Sequence, residues 1–220
     1  METEIRELTL NTTDANLDGI LGLPAHASSL VVFVHGSGSS RFSSRNRQVA
    51  SYLNSLGLAT LLFDLLTERE NETDRYTRQF RFDIPLLGRR IQDTVDWLAQ
   101  EPDFASMRIG LFGASTGAAA ALICAARRPK AIRAVVSRGG RPDLAGDDLD
   151  RVEAPTLLLV GGDDGTVIRL NEQAAKRLNC PHELSIIPGA THLFEEPGKL
   201  EQVSELGGAW FRLYLAAPEH

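Results

Sequence analysis

The chain has 220 residues, 43% hydrophobic and 24% charged, with a net charge of -6; this is enough to bury a sizeable core and is expected to form one domain spanning 1–220. Acidic and basic residues are interspersed, and the arginine-rich stretches 41–47 and 75–90 read as solvated helix faces, so nucleic acid is not an expected partner. No run approaches the roughly 18 apolar residues of a membrane span, and Met1-Glu2-Thr3-Glu4 lacks the basic and apolar regions of a secretion signal, so no membrane partner and a cytoplasmic location are the default expectations.

Residues 4–10 and 17–23 alternate around a turn signal at Asp14-Ala15-Asn16 and predict two antiparallel strands at one sheet edge. The pattern then changes to continuous apolar runs at 30–34, 58–63, 109–112, 134–136, 156–160 and 184–187. Such runs suit parallel strands covered on both faces. Between them helices are predicted at 44–56, 85–100, 115–127, 168–178 and 199–215. Alternating strand and helix define an α/β chain, a doubly wound, mostly parallel sheet of about eight strands with helices on both faces. The stretch 67–81 is strongly charged and predicts a surface loop or the border of a pocket. No insertion is large enough for a cap domain, so the site is expected to be open.

Three segments carry chemistry. Gly113-Ala114-Ser115-Thr116-Gly117 joins an apolar run to an alanine-rich stretch, which reads as strand, sharp turn and helix with the serine at the turn. The glycines relieve crowding there, and the N–H groups of the following helix face the same spot. Gly161-Gly162-Asp163-Asp164-Gly165 follows a buried run and sets carboxylates in a glycine-rich loop, and His192 follows the run 184–187. The chain order Ser115, Asp164, His192 is nucleophile, acid, base. In open α/β sheets ligands bind at the carboxyl ends of the strands, where all three segments and His35-Gly36-Ser37 are expected to lie. Asp163 and Asp143 compete with Asp164 for the acid role. His35 is expected to shape its loop, and His26, His182 and His220 to be surface residues.

Taken together, Phe33-Val34-His35-Gly36-Ser37-Gly38-Ser39-Ser40, Phe63-Asp64-Leu65-Leu66-Thr67, the segments 113–117 and 161–167, and Gly189-Ala190-Thr191-His192-Leu193-Phe194 resemble the α/β-hydrolase superfamily, and within it the small dienelactone-hydrolase-like group. The resemblance covers nearly the whole chain. It implies an α/β-hydrolase fold with no large cap domain, and Ser115 and His192 as nucleophile and base. The family pattern Gly-Gly-x-Asp, with valine three residues on, selects Asp164 over Asp163. The oxyanion would be held by the backbone N–H groups of Ser37 and Thr116.

Dienelactone hydrolases proper use a cysteine nucleophile, whereas this chain has Ser115. The expectation is therefore a serine esterase acting on a small-molecule carboxylic ester or lactone, without cofactor or metal. Cys124 and Cys180 suggest neither a disulfide framework nor paired metal-ligand spacing. Thioester hydrolysis or acyl transfer could use the same groups, and a silent fold retained as a ligand receptor is the non-enzyme alternative. A nicotinamide-dependent reading of Gly36-Ser37-Gly38 and Asp64 lacks the third glycine, Arg41 standing in its place. The sequence sets no oligomeric state.

Overall fold

A computed structural model describes residues 2–216, so His220 lies outside the described residues. Two antiparallel strands, β1 (Thr3–Asn11) and β2 (Asn16–Pro24), open the chain, and β2 pairs antiparallel with β4 (Ala59–Phe63). The other strands, β3 (Ser29–Val34), β5 (Arg108–Ala114), β6 (Ile132–Arg138), β7 (Thr156–Gly161) and β8 (His182–Ile187), complete one eight-stranded sheet in the order β1-β2-β4-β3-β5-β6-β7-β8. All pairings from β4 to β8 are parallel.

The chain runs from β3 outward to β4, then crosses to the opposite side of β3 to lay down β5. The connections leaving the carboxyl ends of β3 and β5 therefore diverge, and a crevice opens at that switch point.

Strands β3 to β7 are mostly apolar because helices cover both faces. One face packs Leu30, Val32, Leu111, Val135 and Leu158 against α3 (Ile84–Leu98) and α4 (Thr116–Arg127). The other packs Val31, Phe33, Phe112, Val136 and Leu159 against α1 (Ser44–Ser55) and α6 (Lys199–Tyr214). Each fully buried side chain of this kind contributes about 1.5–3 kcal/mol. Helix α4 is alanine-rich for a geometric reason. A Cβ on Gly113 would lie 2.5 Å from Ala118 Cα, so helix and strand touch backbone to backbone with no room for larger side chains.

Two segments differ from their sequence expectations. Residues 67–81 are not a plain loop, because α2 (Glu68–Thr77) occupies most of the stretch. Its amino terminus is a capping box: Thr67 Oγ1 accepts from Glu70 N–H while the Glu70 carboxylate accepts from Thr67 N–H. The helix has no apolar face and is held by charge instead, with Asp74 paired to Arg81 and Glu70 to the buried Arg90 of α3. The spacing Thr67-x-x-Glu70 was the one available signal. Between β6 and β7, Pro142–Arg151 forms a 3-10 segment kinked at Gly146. Helix α5 (Gly165–Ala175) starts three residues earlier than its apolar period suggests because Asp164 caps it.

Arg90 fastens α2 and the β1–β2 turn to the core. Its guanidinium is almost wholly buried and bonds Glu70, Asp14 and the Leu65 carbonyl oxygen. Burial opposes ionisation of Glu70 and Asp14, but the hydrogen bonds and charge of Arg90 outweigh it and hold both carboxyls below their usual range. Their stabilising contribution is therefore fully present above the ordinary values of 4.5 and 3.8 and is lost as pH falls below them. Arg90→Met should cost about 3 kcal/mol, toward the low end for a broken buried pair because the acids reach solvent. Urea denaturation of the variant should also show a weaker loss of stability between neutral pH and the acid limb than wild type.

Candidate active site

Ser115 sits between β5 and α4 with φ 52° and ψ -123°, a left-handed conformation unusual for a residue with a side chain. Such a backbone costs about 1–3 kcal/mol and persists only where surrounding contacts over-determine it. Here they do: Ser115 N–H donates to the Arg138 carbonyl oxygen at 3.1 Å, and Arg141 N–H donates to the Ser115 carbonyl oxygen at 3.0 Å. The helix begins at Thr116, not at Ser115. Glycines make the turn sterically possible, since a Cβ on Gly117 would lie 2.3 Å from the Val34 carbonyl oxygen and 2.5 Å from that of His35.

His192 reaches Ser115 from the loop after β8. Its Nε2 lies 3.3 Å from Ser115 Oγ, and its Nδ1 lies 2.7 Å from Asp164 Oδ2. Asp164 has a second task. Its Oδ1 accepts from Val167 N–H in the first turn of α5, so the capped helix fixes the carboxylate that faces the histidine. The structure thus brings Ser115, His192 and Asp164 together. Asp163, the neighbouring candidate, is exposed and contributes a backbone N–H to the Ala190 carbonyl oxygen. Asp143 is paired with Arg141 in the 3-10 segment.

The loop leaving β3 forms the other wall. Gly36 abuts the nucleophile so closely that a Cβ there would lie 3.1 Å from both Ser115 Cβ and the Ala114 carbonyl oxygen. Ser37 N–H points at the head of α4 and donates to Thr116 Oγ1 at 2.9 Å. The amino terminus of α4 adds the partial positive charge of its unpaired N–H groups on the same side.

His35 is buried beneath this loop. Its Nε2 accepts from Leu65 N–H at 3.1 Å, which leaves the proton on Nδ1 to donate to the Gly36 carbonyl oxygen at 2.9 Å. Burial pushes its pKa down, so the ring is a neutral pin between the β3 and β4 loops. His26 and His182 are exposed. Asp64, part of the nicotinamide-dependent reading, is taken up by Arg41 through both its backbone N–H and its guanidinium.

A sheet of this order, with a serine at a strained turn after β5 and a histidine after β8, defines the α/β-hydrolase fold. The profile of the dienelactone hydrolase family matches residues 17–207, and the chain belongs to that family. It is similar to the crystal structure of a dienelactone hydrolase from Anabaena variabilis, with 51% identity, 98% of this chain and 100% of that chain covered, and a TM-score of 0.97. Est1E from Butyrivibrio proteoclasticus shares the fold at 19% identity, with 96% of this chain and 99% of that chain covered and a TM-score of 0.79. Among curated proteins, a Mycobacterium tuberculosis protein named "Putative phosphoribosyl transferase" is 55% identical over 200 residues, which is 91% of this chain. The match spans 44% of that relative, so the chain covers less than half of its length.

The acid and histidine loops depend on a close backbone approach that one methyl group would spoil. A Cβ on Gly161 would fall 2.4 Å from the Ala190 carbonyl oxygen and 2.6 Å from that of Thr191, directly before His192. Gly161→Ala should destabilise the protein by about 1–3 kcal/mol, read by urea denaturation. A crystal structure of the variant should show the His192 loop displaced from Asp164.

Proposed function

We propose that this protein is a serine hydrolase that cleaves a carboxylic ester or lactone through an acyl-enzyme. The reading is carried by the unbroken relay from Ser115 Oγ through the His192 ring to the Asp164 carboxylate, with contacts of 3.3 and 2.7 Å. His192 Nε2 takes the hydroxyl proton as Ser115 Oγ bonds the acyl carbon. Asp164 accepts from Nδ1–H, keeping the free ring in the tautomer whose Nε2 can accept, and stabilises the doubly protonated ring that forms.

The carbonyl oxygen becomes an oxyanion and receives the backbone N–H groups of Ser37 and Thr116. Losing one donor of this kind costs about 10² to 10³ in rate. Collapse of the tetrahedral species breaks the bond to the leaving oxygen, which takes the proton from His192. Water then attacks the acyl carbon, giving a proton to the same nitrogen, and Ser115 recovers it as the acid departs. In a lactone the leaving oxygen stays tethered to the acyl group, and one hydroxy acid is released.

Ser37 N–H is already satisfied by Thr116 Oγ1 in the free protein. The loop is therefore held near its working position by a bond that an incoming oxyanion, the stronger acceptor, can replace. The transferase name of the mycobacterial relative belongs to a chain more than twice as long as the matched stretch. Its activity is not needed to account for the groups assembled here.

With p-nitrophenyl acetate as substrate, Ser115→Ala and His192→Ala should each lower kcat by about 10⁴ or more, and Asp164→Asn by about 10⁴. All three should keep the circular dichroism spectrum of wild type. Turnover by Ser115→Ala at the wild-type rate would overturn the reading, as would failure of wild type to react with a fluorophosphonate probe.

A further inference from the structure

A cavity on the loop after β3 has a chemistry unlike a greasy acyl pocket. It has a volume of about 890 Å³ and is walled by the ends of β2 and β4, by the loop 38–42 and by α2. Gly38, Ser39 and Arg81 also line a second, small cavity together with His35, Gly36 and Ser37. Gly36 in turn abuts Ser115. The chamber and the nucleophile thus both border the loop that carries the proposed oxyanion donor.

Two of its three guanidinium groups are matched within the protein. Arg41 is bonded by Asp64 and lies 3.6 Å from Asp18, and Arg81 is bonded through Nε and Nη2 to Asp74 behind the wall. The lining holds four carboxylates, Asp18, Asp64, Glu68 and Glu72, against three guanidinium groups, Arg41, Arg75 and Arg81. An anionic ligand group would meet net repulsion, and an alkyl chain would strip water from carboxylates without replacing their hydrogen bonds. Side-chain amides of Asn16 and Asn71 and hydroxyls of Ser39, Ser40 and Thr67 supply closely spaced neutral donors and acceptors. Phe42 adds an aromatic surface, 54% exposed, with the Arg41 guanidinium 4.4 Å from the ring centroid.

We propose that this chamber binds an uncharged, polyhydroxylated part of the substrate, so that the enzyme acts on an acylated sugar or on a polyhydroxylated lactone. The inference rests on the hydrolase reading above for its chemistry and on the chamber for its specificity. Hydroxyl groups on adjacent ring carbons pair with the amides, hydroxyls and carboxylates, and the C–H face of a sugar ring lies on Phe42.

The test compares kcat/KM for 6-O-acetylglucose, glucono-δ-lactone and ethyl acetate in wild type, Phe42→Ala and Asn71→Ala. Wild type should prefer at least one polyhydroxylated substrate over ethyl acetate by about tenfold or more, and each variant should lower that preference about five- to tenfold. Preference for the acetylated sugar alone identifies an acylated sugar hydroxyl as the substrate group, and preference for the lactone alone identifies an aldonolactone. Equal kcat/KM across the three substrates, or a preference untouched by both variants, overturns the proposal.

Calorimetry of Ser115→Ala with 6-O-acetylglucose and with glucono-δ-lactone separates the two layers of argument. No binding of either ligand, beside normal p-nitrophenyl acetate turnover by wild type, sinks the chamber and leaves the hydrolase standing. Binding that Phe42→Ala weakens, beside a wild type inert toward every ester, sinks the hydrolase and leaves the chamber.

Discussion

The site depends on one crossing of backbones. Where β5 ends, the first turn of α4 passes so close to β3 and β5 that Gly113 and Gly117 leave no space for a Cβ, the distances being 2.5 Å or less to neighbouring backbone atoms. That approach forces Ser115 into its left-handed conformation, and the end of β6 fastens it there through Arg138 and Arg141. The strain of about 1–3 kcal/mol is borne by a core whose buried side chains contribute far more. A turn so constrained holds the hydroxyl in one place. The Ser37 loop and the His192 loop can then be brought up to it as separate pieces, one from β3 and one from β8.

Each piece is fixed by groups that take no part in proton transfer. His35 pins the β3 loop to Leu65 as a neutral ring, and α5 holds Asp164 by using it as a cap. Arg138 extends from the end of β6 to Asn46 in α1, bonding its side-chain oxygen at 3.1 Å. Burial, with the charge of Arg45 adding to it, pushes the Arg138 pKa down to about 10, so the guanidinium stays charged at neutral pH. Its Nε and Nη1 have no hydrogen-bond partner among the described residues. A buried cation of this kind is weak evidence for stability; what it does here is tie the strand beside the nucleophile to the helix that follows the Ser37 loop.

Much of this was legible in the sequence because hydrophobic burial writes itself as pattern. The runs at 30–34, 109–112 and 156–160 are buried throughout in the structure, and the alternation at 4–10 and 17–23 is the antiparallel edge pair. Helix α2 was not legible from periodicity, since ion pairs and a capping box hold it rather than an apolar stripe. The early start of α5 was hidden for a related reason, because Gly165 and Thr166 look like loop residues until Asp164 is seen capping them. Neighbouring carboxylates are chemically alike, and in the sequence only the family pattern separated Asp164 from Asp163. What separates them is direction: Asp163 faces solvent, and Asp164 faces both the helix N–H groups and the His192 ring.

The same charge-held helix explains how the described residues, among which there is no cap domain, still bound a chamber. An apolar lid would need its own buried face and a longer insertion, whereas α2 rides on Arg90 and Arg81, each of which satisfies carboxylates on the helix. Pairing those groups internally has a consequence for recognition. Asp74 takes up much of the hydrogen-bonding capacity of Arg81, and Asp64 that of Arg41. A charged ligand group gains little from either arginine unless it displaces a carboxylate already in place. Under the proposed reading, what remains for recognition is hydrogen-bond geometry along α2 and the loop 38–42.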